Sequence, residues 1–270
     1  MNWLIKRVKS KSAVLGVILV ILFGLLRVGY MFKEEILGPE LADKWFGSGE
    51  YVGEYQYGER HGQGVLKFES GTIYIGEFYR GSIQGQGTMT LSSGNVYSGE
   101  FRDGEIHGQG TLKFKSGSEY VGEFYEGRIN GLGVLVFYDG DEYFGEFKEG
   151  GWHGQGILTL SGGQKYEGEF RKSKFHGQGA RSYPNGDEYV GQFSDGKYHG
   201  QGVKAFADGG KYIGEFRHGS MNGQGTMTLA SGVKYVGEFR SGNFHGQGAI
   251  TYSDGSVKKG TWVNGKFQEK

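Results

Sequence analysis

Hydrophobic and polar residues alternate in short runs along most of this chain, and the runs come in pairs. Residues 74–78 (YIGEF) and 87–91 (GTMTL) form one such pair, with glycine-rich segments between and after them. A two-residue period is typical of a β-strand with one buried face, and two strands this close together indicate a β-hairpin. The pattern therefore predicts a chain built from hairpins.

The pair of runs recurs with a period of 23 residues in nine consecutive copies. Each copy approximates Tyr-x-Gly-Glu-Phe-x-x-Gly-x-x-His-Gly-Gln-Gly, and a truncated tenth copy begins at Lys258. We number the positions of a copy from 1 to 23, starting at its first tyrosine. These tyrosines are Tyr51, Tyr74, Tyr97, Tyr120, Tyr143, Tyr166, Tyr189, Tyr212 and Tyr235. A repeat of this length predicts a linear array of stacked units rather than a single globule.

The repeat positions also predict how the two strands of a hairpin pair. Pairing position 1 with 18, 3 with 16 and 5 with 14 places a large side chain opposite each glycine. Ser-Gly or Asp-Gly at positions 20 and 21 predicts a three-residue turn whose glycine has a positive φ. Ten hairpins with no amphipathic helix between them predict an all-β fold, an elongated and twisted single antiparallel sheet. One face of this sheet is aromatic, so either twist buries it or a partner covers it.

The N-terminal region has a different character. Residues 13–32 (AVLGVILVILFGLLRVGYMF) are apolar apart from Arg27, and about 20 such residues span a bilayer as a helix, which predicts a transmembrane signal anchor. Residues 1–12 are basic, so the positive-inside rule places the N-terminus in the cytoplasm and the repeats outside it. A linker at 33–50, the nine repeats at 51–257 and a capping repeat with a tail at 258–270 follow. A cleaved signal peptide is the competing interpretation, although no small-residue cleavage motif follows the segment.

Composition narrows the possible functions. Glycine accounts for 55 of the 270 residues, but most of it stands in fixed repeat columns, which indicates a geometric role rather than disorder. From residue 51 onward the chain carries 23 Lys or Arg and 25 Asp or Glu, so no nucleic-acid partner is expected. Because the chain has no cysteine, it has neither disulfides nor thiolate metal sites.

Two repeat positions carry a polar residue in most copies, and such recurring residues suggest a catalytic or metal-binding role. Position 4 is Glu in eight copies, and position 11 is His in six. Equivalent residues in neighbouring copies lie two strands apart, about 10 Å, which is too far for them to share one metal ion. We expect both columns to form hydrogen bonds in the turns instead. We expect no cofactor, no metal and no enzymatic activity, because catalysis needs one differentiated site rather than equivalent copies.

The repeat resembles the MORN (membrane occupation and recognition nexus) family. The resemblance rests on motifs such as residues 120–124 (YVGEF) followed by Gly127, Gly131 and Gly133, and it extends from residue 51 to about 267. It implies tandem β-hairpins in an elongated, twisted antiparallel sheet. MORN repeats also occur beside kinase and methyltransferase domains, and no such domain is present in this sequence. The resemblance therefore implies an attachment or scaffolding role.

The aromatic columns and two unusual cations form the predicted binding face. Arg181 and Lys204 occupy position 16, which is Leu, Met or Ile in the other copies. The face comprises Tyr120, Phe124, Tyr143, Phe147, Tyr166, Phe170, Arg181, Tyr189, Phe193, Lys204, Tyr212 and Phe216. We expect a membrane-anchored scaffold whose face binds another protein or a second copy of the chain. Phospholipid headgroups, or carbohydrate stacked on the aromatic rings, are the alternative ligands.

Overall fold

The computed structural model describes residues 49–269, and every regular element in this range is a β-strand. The strands are β1 (Gly49–Gln56), β2 (Glu59–Phe68), β3 (Ile73–Tyr79), β4 (Ser82–Thr90), β5 (Val96–Arg102), β6 (Glu105–Lys113), β7 (Glu119–Tyr125), β8 (Arg128–Val136), β9 (Glu142–Lys148), β10 (Gly151–Thr159), β11 (Lys165–Arg171), β12 (Lys174–Ser182), β13 (Glu188–Ser194), β14 (Lys197–Ala205), β15 (Lys211–Arg217), β16 (Ser220–Thr228), β17 (Lys234–Arg240), β18 (Asn243–Thr251), β19 (Val257–Val263) and β20 (Lys266–Gln268). Strand β1 begins at Gly49, so the last two residues of the predicted linker belong to the sheet.

The twenty strands form one open antiparallel sheet in which each strand pairs with its neighbours in the chain. The prediction of an all-β fold with one hairpin per copy is confirmed. The predicted basic segment, the transmembrane anchor and most of the linker lie outside the described residues. Between residues 49 and 269 no apolar helix reaches the length that crosses a bilayer.

The register within each hairpin differs from the predicted one by two residues. Tyr74 at position 1 pairs with Met89 at position 16, and Gly76 pairs with Gly87. The predicted register was wrong because a two-residue shift leaves every side chain on the same face, so alternation in the sequence fits both registers. The glycines of the two strands therefore face each other. A bulge follows this pair, and Phe78 then pairs with Ile83.

Two kinds of turn connect the strands. Within a copy, positions 7 and 8 form a two-residue loop in which both residues have positive φ, such as Arg80 at 49° and Gly81 at 82°. These values are those of a type I′ turn, whose twist matches that of the paired strands. Between copies, the predicted three-residue turn is confirmed: Gly71 has a φ of 90°, and its N–H donates to the Phe68 carbonyl at 3.0 Å.

The tyrosine at position 1 is the centre of each core unit. The Tyr74 ring lies across the facing Gly76 and Gly87, and a Cβ atom on Gly76 would come within 2.5 Å of the tyrosine oxygen. Phe78 of the same copy and Phe101 of the next pack edge-on against this ring, with centroids 5.2 and 4.9 Å away. Repetition of the unit produces a continuous ladder of rings. We call this side, which carries positions 1, 5, 10, 16 and 18, the tyrosine face.

The tenth hairpin ends the ladder with a different ring. Lys258 occupies position 1, and Phe267 takes the place of the tyrosine beside Gly260, where a Cβ atom would lie 2.8 Å from the Phe267 ring. Trp262 at position 5 contacts Tyr235 of the preceding copy at 5.6 Å. The truncated copy therefore caps the core, as terminal repeats of linear arrays do.

Candidate functional site

The ten aromatic residues of the predicted binding face form part of the protein core. Their tyrosine side chains are 0–1% exposed and their phenylalanine side chains 3–4% exposed. These residues are Tyr120, Phe124, Tyr143, Phe147, Tyr166, Phe170, Tyr189, Phe193, Tyr212 and Phe216. These rings are therefore not open to a partner as a binding face requires, because glycine pairs let them lie flat on the sheet and neighbouring copies cover them. Because these rings are buried, they offer no surface on which a carbohydrate could stack.

The buried tyrosine hydroxyls retain hydrogen bonds to the backbone. The Tyr120 hydroxyl donates to the Glu123 carbonyl at 3.1 Å, and the Tyr212 hydroxyl donates to the Glu215 carbonyl at 3.0 Å. Burial raises the pKa of Tyr212 to about 12, and burial also raises the pKa of Tyr120. These phenols are therefore neutral at physiological pH, and their role is to pack the core.

The glutamates at position 4 hold the glycine-rich segment of the second strand, as predicted. Glu123 Oε1 accepts a hydrogen bond from the Leu132 backbone N–H at 3.1 Å, and Glu146 Oε1 accepts one from the Gln155 N–H at 2.8 Å. The same bond occurs in eight copies. Each carboxylate lies against the position 12 glycine, such as Gly131 with a φ of 67°. The glutamate column is therefore structural.

The histidines at position 11 contribute in a different way from the predicted one. The backbone carbonyl of His107 accepts a hydrogen bond from the Tyr97 hydroxyl at 3.3 Å, while its imidazole ring lies 5.3 Å from the Tyr125 ring. The hydrogen bond at this position thus uses the main chain rather than the side chain. Over residues 49–269 no three His, Asp or Glu side chains are grouped to hold a metal ion.

A row of cross-strand neighbours crosses the opposite side of the sheet. Positions 2 and 15 of successive strands pair along it, as Val121 with Val134, Val134 with Phe144, and Phe144 with Ile157. We call these positions the outer row. The outer row was not among the predicted site residues, because the prediction rested only on the positions that share a face with the tyrosines. The β-branched residues that recur at position 2 were the available signal.

The outer row is apolar across strands β7–β10, where Val134 and Ile157 are half-buried and their neighbours are exposed. Val121 and Phe144 are each 48% exposed, and Leu132, two residues from Val134 on the same strand, is 54% exposed. The row becomes polar on either side of this segment, at Thr111 and at Glu167. We call this apolar segment the outer patch, which consists of Val121, Leu132, Val134, Phe144 and Ile157.

A polar cluster interrupts the tyrosine face in the sixth and seventh copies. Arg181 is 5% exposed, and its guanidinium carbon lies 4.7 Å from the centre of the Tyr183 ring and 5.3 Å from that of Phe175. Within the described residues its Nε and Nη2 atoms form no hydrogen bond. Cation–π contacts contribute about 2 kcal/mol when desolvated, but they leave the N–H donors without acceptors.

Lys204 lies beside Arg181 on the same face, in the adjacent copy. Its Nζ is 4.0 Å from an Asp187 carboxylate oxygen and 4.9 Å from the centre of the Phe206 ring. Burial lowers the pKa of Lys204; Asp187 opposes this change and Arg181 adds to it. The structure therefore brings the two predicted cations to the same part of this face, with Arg181 buried and Lys204 half-buried.

Two tyrosines complete this cluster. The Tyr183 and Tyr198 hydroxyls are hydrogen-bonded to each other at 2.6 Å, and burial raises the pKa of Tyr198. Tyr198 also stacks on Tyr189 of the core ladder, with ring centroids 3.8 Å apart. The polar cluster, which we define as Arg181, Tyr183, Asp187, Tyr198 and Lys204, is thus joined to the core.

Comparison with solved structures gives weak similarities. The G-box domain of the microcephaly protein CPAP is 14% identical, and the alignment covers 75% of this chain and all of that domain with a TM-score of 0.37. The Danio rerio CPAP TCP10 domain, solved with a peptide of STIL, is also 14% identical, with coverages of 78% and 93% and a TM-score of 0.29. A virginiamycin B lyase from Staphylococcus aureus is 12% identical, with coverages of 80% and 75% and a TM-score of 0.16. These scores are too low to support an argument about this chain.

Comparison with curated proteins gives no match. A sequence model of the MORN repeat, in contrast, matches nine consecutive segments without a gap, from residues 51–73 to residues 235–257. The matched segments coincide with the 23-residue copies. Each contains a tyrosine ring packed over paired glycines and the two turns described above, and all but the seventh, which has Gln192, contain the bond from the position 4 glutamate. They cover most of the chain, which therefore belongs to the MORN repeat family.

Proposed function

We propose that this protein is a non-enzymatic scaffold that binds another protein, or a second copy of itself, through the outer patch. One observation carries the proposal: the tyrosine rings are buried, and the outer patch is the segment of the outer row that places an exposed aromatic side chain, Phe144, among aliphatic neighbours. Apolar patches rimmed by polar residues mark interaction sites on soluble surfaces. Phe144 supplies the aromatic anchor that protein interfaces favour, at the centre of the patch.

The charges around the outer patch favour a protein partner over a phospholipid headgroup. Glu123 and Glu146 adjoin Leu132 of the outer patch: Glu123 accepts a hydrogen bond from its backbone N–H, and Glu146 pairs with it across the strands. Anionic lipid surfaces attract clusters of Lys and Arg and repel carboxylates. A protein surface with apolar side chains at its centre and basic side chains at its rim complements this arrangement.

Site-specific photo-crosslinking in the full-length protein tests the proposal. A photoreactive residue at Phe144 is expected to yield a discrete protein adduct, whereas one at Thr111, on the polar part of the outer row, is expected to yield at least tenfold less. Phe144→Glu should remove an adduct formed from Val121, and Val236→Glu, which is equally exposed at the far end of the outer row, should not. Adducts with lipid alone, or equal adducts at both probe positions, would contradict the proposal.

We also propose that residues 13–32 anchor this scaffold in a membrane with the repeats outside the cytoplasm. The support is the sequence alone: one apolar segment preceded by basic residues. A C-terminal reporter that is active only in the cytoplasm should be silent in the full-length protein. An active reporter would overturn the proposed orientation, and recovery of the protein in the soluble fraction would overturn the anchor.

A further inference from the structure

Four of the five residues of the polar cluster occupy positions 10, 16 and 18, which are apolar in most other copies. Position 16 is Leu, Met or Ile in seven copies but Arg181 and Lys204 in these two, and position 10 is apolar in the copies on either side of Tyr198. Because the apolar residues at these positions pack the tyrosine face, one such replacement would weaken the core without obvious benefit. Neighbouring replacements that contact one another indicate a site.

Arg181 is the member of the cluster whose charge and hydrogen-bond donors are not matched by a partner. Its guanidinium is covered by Tyr183 and Phe175, and its Nε and Nη2 donors have no acceptor among residues 49–269. A buried cation without a hydrogen-bonding counter-charge is unfavourable, because the protein interior replaces its hydration poorly. The aromatic rings reduce this cost but offer no lone pairs in the plane of the guanidinium group.

The one carboxylate in the cluster is already engaged. One oxygen of Asp187 accepts a hydrogen bond from the Ala207 backbone N–H at 2.9 Å, and the other lies 4.0 Å from Lys204. Two cations and one carboxylate leave a single positive charge without a partner. The surrounding chain has the same sign, since residues 166–270 carry 14 Lys or Arg and 10 Asp or Glu.

We propose that the polar cluster is a binding site for a carboxylate on an acidic segment of a partner protein, with Arg181 as its bidentate donor. A guanidinium fork matches the two oxygens of a carboxylate, and one carboxylate balances the single unpaired charge. A phosphate dianion would leave an excess negative charge. Apolar side chains beside the carboxylate would meet the half-buried Phe206 and the exposed Leu229 on the same face.

This inference goes beyond the proposed function, because it concerns the opposite side of the sheet from the outer patch. Tyr183 lies over the guanidinium and is only half-buried, so its ring has to move when the carboxylate enters. Lys204 stays at the entrance and attracts the ligand. Arg181→Leu introduces the residue that is commonest at position 16, so this variant should fold with a thermal midpoint equal to or above that of the native protein.

The test is binding of a fluorescent peptide of alternating Glu and Leu residues to the full-length protein, measured by anisotropy at fixed ionic strength. We expect Arg181→Leu to weaken binding at least tenfold. The control Arg171→Leu removes the same charge from an exposed position in the same copy and should change binding less than twofold. Arg181→Met, which places the Met89 side-chain type at position 16, serves as the second variant and should behave like Arg181→Leu.

The outcomes separate the ligand classes. Acetate should compete with the peptide, and inorganic phosphate at the same ionic strength should not. Equal binding by the native and Arg181→Leu proteins would overturn the site, and Arg181-dependent binding of phosphate or of phosphatidylserine vesicles would overturn the assignment to a carboxylate. Phe144→Glu should leave peptide binding unchanged, so failure here is distinguishable from failure of the outer-patch proposal.

Discussion

The first five repeats and the last four share a backbone but differ in how completely their tyrosine face closes. Position 18 shows the contrast: Leu91 and Phe114 are 3% and 5% exposed, whereas Leu229 and Tyr252 are 46% and 40% exposed. The repeat signature is the same in both regions, so the signature residues determine the features that both regions share, which are the hairpins and the tyrosine ladder. The variable positions determine whether the apolar rim beyond the ladder is covered.

Hydrogen bonds between successive turns differ in the same way. The Thr72 hydroxyl at position 22 accepts a bond from the Ser92 backbone N–H at 3.3 Å, and the Ser118 hydroxyl accepts one from the Tyr138 N–H at 3.2 Å. Gly210 and Val233 occupy this position in the seventh and eighth copies and have no side-chain acceptor. The seventh and eighth copies therefore lack a bond to the following copy that the sixth copy retains between Asp187 and the Ala207 N–H.

The largest expected effect concerns a feature that both regions share. Gly122→Ala would place a Cβ atom 2.6 Å from the Leu132 carbonyl oxygen and the Gly133 Cα, and we expect it to lower the free energy of unfolding by about 3 kcal/mol. The matched change Gly214→Ala meets the same distances in the C-terminal region and should cost as much. Urea denaturation followed by circular dichroism measures both.

Gly162→Ala is the control for the glycine substitutions. A Cβ atom at Gly162 would meet no heavy atom within 4 Å, and this glycine does not have a positive φ. We therefore expect a change below about 0.5 kcal/mol. Equal losses at residues 162 and 122 would show that glycine content, rather than the ring contact, determines stability.

An intermediate effect distinguishes the two regions directly. Leu91→Ala and Leu229→Ala remove the same atoms from position 18, but only the first side chain is buried. We expect losses of about 3 kcal/mol for Leu91→Ala and under about 1 kcal/mol for Leu229→Ala in urea denaturation. Similar losses for the two variants would mean that Leu229 is covered in solution, which would remove the contrast between the regions.

The smallest effect is a reciprocal exchange at position 22. Thr72→Val should cost about 1 kcal/mol, because the Ser92 N–H loses its acceptor, and Val233→Thr should gain about 0.5 kcal/mol by supplying one. Hydrogen exchange of the Ser92 and Ser253 amides reports each bond separately from global stability, because the acceptor at position 22 bonds to the amide twenty residues later. An unprotected Ser253 amide in Val233→Thr would show that the missing hydroxyl is not what leaves this turn open.

Particular residues show which structural features could be predicted from the sequence and which could not. Gly71 and Glu123 were predictable, because a turn glycine and a carboxylate near main-chain donors have one good local solution. The pairing of Tyr74 with Met89 was not predictable, because a shift of two residues leaves every side chain on the same face. The contact between Gly76 and Gly87 also depends on how the Tyr74 ring lies on the sheet. Local rules therefore gave the elements and faces but not the register.

The candidate sites show a second limit. Arg181 and Lys204 stood out as departures from the repeat, and the structure brings them together. Burial of Tyr120 and Phe124 was not predictable from alternation, which says that two residues share a face but not which face is covered. The covering side chains come from neighbouring copies, so exposure is a property of the array rather than of one repeat.

The order of strand pairing has a consequence for how the molecule forms. Each strand pairs with its neighbours in the chain, so the contacts that the sheet needs connect residues close in sequence, such as Gly49 with Phe68. Folding with such low contact order requires only short loop closures and is expected to be fast for the size of the sheet. As the chain leaves the ribosome, each completed hairpin offers an edge on which the next 23 residues assemble. Unfinished chains are therefore shorter versions of the final molecule rather than misfolded intermediates, and the array has a direction of growth.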